Sequence, residues 1–394
     1  MVVPRIVGLA AVALVFISCS TKEKASEGVI TRMPNGQVRK LASSEEATVC
    51  ATQFCEPNYT YTADFGRRHN PDPQPQPPAP PAPQPAPPPP PIASGDRLDY
   101  SRGILKVQGA WRTTQGSRDV IVAVIDSGVD YNHPDLKANI LVNEAERAGT
   151  PGSDDDGNGY IDDVYGWDFF NNRANAFDDN KHGTHCSGII AAALNGQGIA
   201  GVAPNVRILP VKFLGADGSG ATDAAIRAID YAVARGANIL SMSWGGGGRS
   251  ELLNEAIQRA VQRGVLVVAA AGNDASFNDS TPSFPASYPG VIAVASTDES
   301  DQLSPFSNYG PQSVFIAAPG SRIYSTVPNG GYATLSGTSM ATPQVSGALA
   351  LALSVNPSVD RDILKGRLCD TSNRILLNKV KCGRMDVQAL VESL

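Results

Sequence analysis

The stretch RDVIVAVIDSG, residues 118–128, decides the fold class. Its apolar run over residues 120–125 is continuous, not alternating, which predicts a strand buried on both faces, as in a parallel sheet covered by helices. The run ends in Asp126, Ser127 and Gly128. In an open α/β sheet the carboxyl ends of strands line the functional crevice, so an acid held there points to chemistry. Five further apolar runs recur downstream: VRILPVKFL (206–214), NILSMSW (238–244), VLVVAAA (265–271), VIAVAS (291–296) and VFIAA (314–318). They alternate with helical patterns. TDAAIRAIDYAVARG carries Ile226, Ile229 and Val233 on one face and stops at Gly236; ELLNEAIQRAVQRG repeats the device with Leu253, Ile257 and Gly264. This alternation predicts a doubly wound, mostly parallel α/β sheet with helices on both faces. Residues 95–394 are enough for one large core, read as one domain.

A nucleophile candidate lies in GTSMATP, residues 337–343. Gly337 permits a tight turn, Pro343 suits the first turn of a helix, and the helix N-terminus then faces Ser339, where free N–H groups and the dipole favour a developing oxyanion. Ser339 alone reads equally as a helix cap. It needs a base, and the chain has four histidines, His69, His133, His182 and His185. His182 opens the small-residue segment HGTHCSGIIAAAL, a buried helix start, and is the best candidate. His185, three residues on, packs inside or forms a metal pair with His182, although no third ligand lies nearby in sequence. VLVVAAAGND closes on Gly272 and Asn273, whose side-chain amide can serve an oxyanion beside the Ser339 N–H.

Together these residues give the order Asp126, His182, Ser339 on three junctions. The arrangement resembles the subtilisin-like serine proteases. The resemblance runs from about Asp96 to the C-terminus through VIVAVIDSGVDYNHPDL, HGTHCSG, GIAGVAP, VKFLGADGSG, SMSWGG, AAAGN and GTSMATP. It implies Asp126 as orienting acid, His182 as general base, Ser339 as nucleophile and Asn273 as oxyanion donor. Gln344 and Ser346 depart from the family's usual His and Ala, at positions without chemistry. An α/β-hydrolase elbow would want glycine at 341, which is Ala.

The resemblance also implies how a peptide is held, as a strand added to an exposed edge. Gly218, Ser219 and Gly220 in LGADGSG form one wall, and Ser243, Trp244 and Gly245 the other; the alternative for the glycines at 246–248 is a flexible loop. Ala270, Ala271 and Gly272 line the pocket for the residue before the cleaved bond. No acid is placed there, so apolar or aromatic residues are expected at that position.

DDDGNGYIDD, residues 154–163, sets Asp154, Asp156 and Asn158 at alternating positions before Gly159, the opening of a calcium loop. The twelfth position is Tyr165, so Asp162 or Asp163 must close it. The alternative is a solvated acidic turn whose carboxylates repel.

The N-terminal apolar run ends in FISC and reads as a signal peptide over residues 1–18, too short for a membrane span. Its ending resembles a bacterial lipobox, with Cys19 lipidated; ordinary secretion is the alternative. Residues 19–70 read as a reduced pro-region and tether, in which CEPNYTY (55–61) resembles the last strand of the family's inhibitory propeptides. A Cys50–Cys55 pair would pin it. Residues 71–94 form a linker with 14 prolines in its first 21 positions, a stiff polyproline spacer of roughly 65 Å; an SH3-type ligand is the alternative. Of six cysteines, Cys369 and Cys382 could bridge, and Cys186 is expected as a free, buried thiol. The formal charge of −6 gives no reason to expect nucleic acid. The resulting expectation is a monomeric, exported serine endopeptidase acting on proteins or peptides, lipid-anchored at a bacterial envelope or released by processing. The rival is a surface-tethered scaffold with an inert protease fold.

Overall fold

The computed structural model describes residues 28–50, 53–63, 95–246 and 248–394. The signal segment (1–18), Cys19 and the whole linker (71–94) lie outside the described residues, as does Gly247.

The N-terminal segment comprises β1 (Val29–Arg32), β2 (Val38–Lys40), α1 (Ser43–Cys50), β3 (Cys55–Pro57) and β4 (Thr60–Ala63). Strands β2, β1 and β3 form a small antiparallel sheet. The large domain then runs α2 (Tyr100–Ile104), α3 (Val107–Ala110), β5 (Ile121–Asp126), α4 (Glu144–Ala148), β6 (Trp167–Asp168), α5 (His182–Ala191), β7 (Arg207–Lys212), β8 (Ser219–Ala221), α6 (Thr222–Ala234), β9 (Ile239–Met242), β10 (Trp244–Gly245), α7 (Glu251–Gln262), β11 (Leu266–Ala270), β12 (Ile292–Thr297), β13 (Ile316–Pro319), β14 (Ile323–Val327), β15 (Gly331–Leu335), α8 (Thr338–Val355), α9 (Arg361–Asp370) and α10 (Val387–Glu392).

Its centre is a seven-stranded sheet, order β13-β12-β11-β9-β5-β7-β6, parallel throughout. Successive β5 residues feed different cores: Val122 and Val124 pack with α5 and α8 residues such as Ile189 and Leu349, whereas Ile121, Ala123 and Ile125 pack with α6 and α7 residues such as Ile229 and Ile257. That two-sided burial is why β5 reads as continuously apolar. The six apolar runs all become strands of this sheet; the seventh, β6, is two residues long and gives no periodic signal. Helices α6 and α7 end in left-handed glycines, Gly236 (φ 78°) and Gly264 (φ 75°).

One expectation is corrected. Pro343 sits inside α8, past its first turn. A proline there deprives the carbonyl four residues back, that of Ser339, of its helical N–H donor. Ser243 Oγ donates to that carbonyl at 3.0 Å and Cys186 Sγ at 3.5 Å, so the proline is accommodated by two side chains from other elements.

Candidate active site

Three chain junctions meet at the carboxyl ends of the central strands. Asp126 ends β5, His182 begins α5 and Ser339 lies in the first turn of α8, all fully buried. His182 Nδ1 lies 2.8 Å from Asp126 Oδ1 and 3.0 Å from Oδ2. An ionised carboxylate only accepts, so Nδ1 carries the hydrogen and Nε2 is the basic nitrogen. Asp126 Oδ1 also accepts the Ser127 N–H at 2.7 Å. Ser339 Oγ donates to the Ser243 carbonyl at 2.8 Å.

Asn273 follows β11. Its Oδ1 accepts the Thr338 N–H at 2.9 Å and Thr338 Oγ1 at 3.2 Å, which fixes which way the amide points. Asn273 Nδ2 is buried with no hydrogen-bond partner among the described residues. Such a donor costs about 1–3 kcal/mol if nothing ever meets it, so an unpaired amide beside the start of α8 is suited to an oxygen brought by a ligand. The loop after it is pinned by Asn308, whose Oδ1 accepts the N–H groups of Asp274 and Ser276. Nothing in the sequence singles out Asn308.

His185 is turned away from this chemistry. Its Nε2 lies 3.1 Å from both the Ile323 and Ala333 carbonyls, and burial pushes its pKa down to about 3, so it is a neutral core histidine, not half of a metal pair. Cys186 is a buried free thiol, its ionisation suppressed by the same burial.

Strand β4 of the N-terminal segment runs antiparallel between β8 and β10. Thr60, Tyr61 and Thr62 pair with Ala221, Gly220 and Ser219; Thr62 and Ala63 pair with Gly245 and Trp244. The Ala63 N–H donates to Gly218 O at 2.8 Å. Gly218, Ser219, Gly220, Trp244 and Gly245 therefore flank a strand, and Ser243 is the next residue toward Ser339. Tyr61 is fully buried, edge-on to Trp244 with centroids 5.1 Å apart, and its hydroxyl donates to Gly248 O at 3.2 Å. Ala270, the last residue of β11, and Ala271 after it are buried. Gly272 (φ 113°) and Gly245 both face Ser283: a Cβ on either would come within 3.4 and 3.7 Å of its Oγ. Ser283, unmarked in the sequence, thus belongs to the wall these glycines form.

The N-terminal segment also grips two helix starts. Ser250 Oγ donates to the Glu56 carboxylate, which accepts the Glu251 N–H at 2.9 Å, at the head of α7. Asn58 donates to Asp223 Oδ1 at 2.8 Å and accepts the Asp223 N–H at 3.1 Å, at the head of α6.

The acidic loop is closely hydrogen-bonded. Asp163 is fully buried and spent: its Oδ2 accepts Tyr231 and Arg235 at 2.6 Å each, and its Oδ1 accepts Asn143 at 2.5 Å. Asp162 Oδ2 accepts the Gly152 N–H at 2.9 Å, and Asn158 Oδ1 accepts the Tyr160 N–H at 2.7 Å. The carboxylates that converge are Asp154, Asp156 and Glu146, with one oxygen of each within 4.8 Å of the others; they too accept N–H groups of the loop, Glu146 those of Asp155, Asp156 and Asp162, Asp154 those of Asn158 and Gly159, and Asp156 that of Asn158. Glu146 lies on α4, outside the DDDGNGYIDD motif, so a local reading had no means to find it. Three hard carboxylate oxygens fit a calcium ion in donor type.

Among the described residues no helix is long and apolar enough to cross a membrane.

Comparison with known proteins agrees with this architecture. The model of the subtilase family matches residues 117–385. Thermitase of Thermoactinomyces vulgaris is 41% identical over 276 residues, covering 69% of this chain and 88% of thermitase. The major intracellular serine protease of Bacillus subtilis is 43% identical over 252 residues, 63% and 72% of the two chains. The thermophilic serine proteinase of Bacillus sp. AK1 is 43% identical over 246 residues, 62% of this chain and 55% of that one. A sheet parallel throughout, with helices on both faces, and a family match over more than half of the sequence lead to one statement: this chain belongs to the subtilase family and is a serine endopeptidase acting on protein or peptide substrates.

Proposed function

We propose that the enzyme cleaves peptide bonds through an acyl-enzyme, with Ser339 as nucleophile, His182 as general base, Asp126 as orienting acid and Asn273 as oxyanion donor. The observation that carries this reading is the buried Asp126–His182 pair with Nδ1 at 2.8 Å, which commits the imidazole to the tautomer basic at Nε2. Ser339 Oγ bonds to the scissile carbonyl carbon as its proton passes to His182 Nε2. The oxyanion accepts from Asn273 Nδ2 and the Ser339 N–H. The imidazolium, held by Asp126, protonates the departing amine, and water repeats the sequence to release the acid.

Substrate enters as an extended strand between Gly218–Gly220 and Ser243–Gly245, the path the chain's own β4 follows. Apolar or aromatic residues are favoured before the cleaved bond, because the wall of Ala270, Ala271 and Gly272 carries no acid. Residues 19–70 act as an inhibitory pro-region removed by cleavage beyond Ala63; occupation of the cleft by β4 and the grip of Glu56 and Asn58 support this. The signal peptide (1–18) exports the chain, lipidation at Cys19 anchors the unprocessed protein at a bacterial envelope, and cleavage beyond Ala63, before or within the linker (71–94), releases the catalytic domain as a monomer. Glu146, Asp154 and Asp156 would hold a structural calcium ion, which supplies only charge compensation to the loop.

The test is intact mass of the purified protein before and after a fluorophosphonate label, with Ser339→Ala as control. One adduct, absent from the control, supports the reading. Folded, processed protein without an adduct moves it to an inert scaffold.

A further inference from the structure

Helix α5 begins without the usual device. Its N-cap is Lys181, at φ 114°, which offers no side-chain cap, yet His182 stands in its first turn and must be held to a fraction of an ångström. The first N–H groups of a helix have no intrahelical partner and need others. Here Asn180 Oδ1 accepts the His182 N–H at 3.2 Å, Ser127 Oγ the Gly183 N–H at 3.0 Å, and Asp178 Oδ2 the Thr184 N–H at 2.9 Å.

Asp178 is 1% exposed and gathers more than that one donor. Its Oδ2 also accepts Thr184 Oγ1 at 2.6 Å, and its Oδ1 accepts the N–H groups of Asn180 and Lys181 at 2.9 Å each and the hydroxyl of Ser127 at 2.8 Å. Ser127 is the residue after Asp126, so one carboxylate ties the strand end bearing the acid to the helix start bearing the base. Ser127 is fixed at its other end too, its carbonyl accepting the buried Lys212 Nζ at 2.8 Å. The two backbones nearly touch: a Cβ on Gly183 would lie 2.1 Å from Gly128 O.

We propose that Asp178, acting through Ser127, is a positioning residue for catalysis: it caps α5 in place of a side chain at Lys181 and sets the orientation of His182 toward Asp126. This rests on the catalytic roles proposed above. A carboxylate suits the task because all its neighbours here are donors and it lies at the positive end of α5. Asn in its place would turn an NH2 group toward some of those donors.

The test compares Asp178→Asn and Ser127→Ala with wild type as processed enzymes, reading kcat, KM and Tm on one peptide substrate. A misplacement of about 1 Å at a catalytic group costs about a hundredfold. Asp178→Asn is therefore expected to lower kcat about a hundredfold with KM within about twofold, since the cleft strands are untouched. Ser127→Ala removes two hydrogen bonds, one to the Asp178 carboxylate and one from the Gly183 N–H, and is expected to lower kcat about tenfold. If Asp178→Asn does not fold, Ser127→Ala decides alone. Folded variants with wild-type kcat, or with KM raised as much as kcat is lowered, overturn the inference. A wild-type protein that neither cleaves peptide nor takes a Ser339-dependent label overturns the catalytic assignment and the inference with it.

Discussion

Ser243 and Ser339 exchange two hydrogen bonds: Ser339 Oγ donates to Ser243 O at 2.8 Å, and Ser243 Oγ donates to Ser339 O at 3.0 Å. The second replaces the helical donor missing at Pro343, so β10's approach and the start of α8 are locked together at the proposed nucleophile. Ser243→Ala removes the stronger of the two side-chain donors to the Ser339 carbonyl, the other being the weak Cys186 thiol. It is expected to cost about 1–3 kcal/mol of stability, measured by chemical denaturation. An unchanged denaturation midpoint would mean that the Cys186 contact suffices.

Asn273 is held by Thr338 through its oxygen, which leaves its amide hydrogens to a ligand. Asn273→Ala should therefore lower kcat about a hundred- to a thousandfold with KM little changed, the pattern for a donor engaged only in the transition state. A change confined to KM would remove Asn273 from the oxyanion site.

The fold was legible because its signals are periodic or conformational. Six apolar runs and glycine-ended helices such as α6 need only local physics to be read. Asp126, His182, Ser339 and Asn273 could be proposed from sequence because each stands where an apolar run stops or a small-residue helix begins. Asp178, Asn308 and Ser283 were not: each acts through contacts that exist only after distant segments meet. Glu146 is the same case, since α4 and the acidic loop are joined by folding and not by spacing. The misplaced role of Pro343 shows the limit of a local rule, because two side chains from outside the helix satisfy the carbonyl it frees.

The N-terminal segment is small for a folded unit, with Ile30, Val38, Leu41 and Tyr61 as its buried apolar residues among those described. Chains of this size need a staple, and Cys50–Cys55 supplies one between α1 and β3. Closing so short a loop is worth about 2 kcal/mol, or about thirtyfold in the docked population. The Cys50→Ser/Cys55→Ser variant is expected to show raised peptidase activity before processing. Equal latency in the two proteins would show that Glu56, Asn58 and β4 hold the segment unaided.

If Glu146, Asp154 and Asp156 hold calcium, chelation leaves three converging carboxylates to repel one another, and Tm should fall in EDTA and recover with added calcium. Glu146→Gln should shrink that difference, whereas Asp163→Asn should lower Tm in both conditions by breaking the Arg235 pair. A Tm indifferent to EDTA would leave the loop a solvated acidic turn.

His185 makes stability depend on pH. Burial lowers its pKa in the folded protein from 6.5 to about 3. Above about pH 6.5 the ring is neutral folded or unfolded, and it contributes no slope. Below that the unfolded chain binds a proton that the folded chain refuses, so stability falls as pH drops from 6.5 toward 3, by at most about 1.4 kcal/mol per unit from this group. Denaturation free energies between pH 7 and 4 should show the decline, and His185→Gln, which keeps a donor for the Ile323 and Ala333 carbonyls, should be less stable at pH 7 yet flatter with pH. Parallel curves for the two proteins would assign the acid sensitivity to other groups.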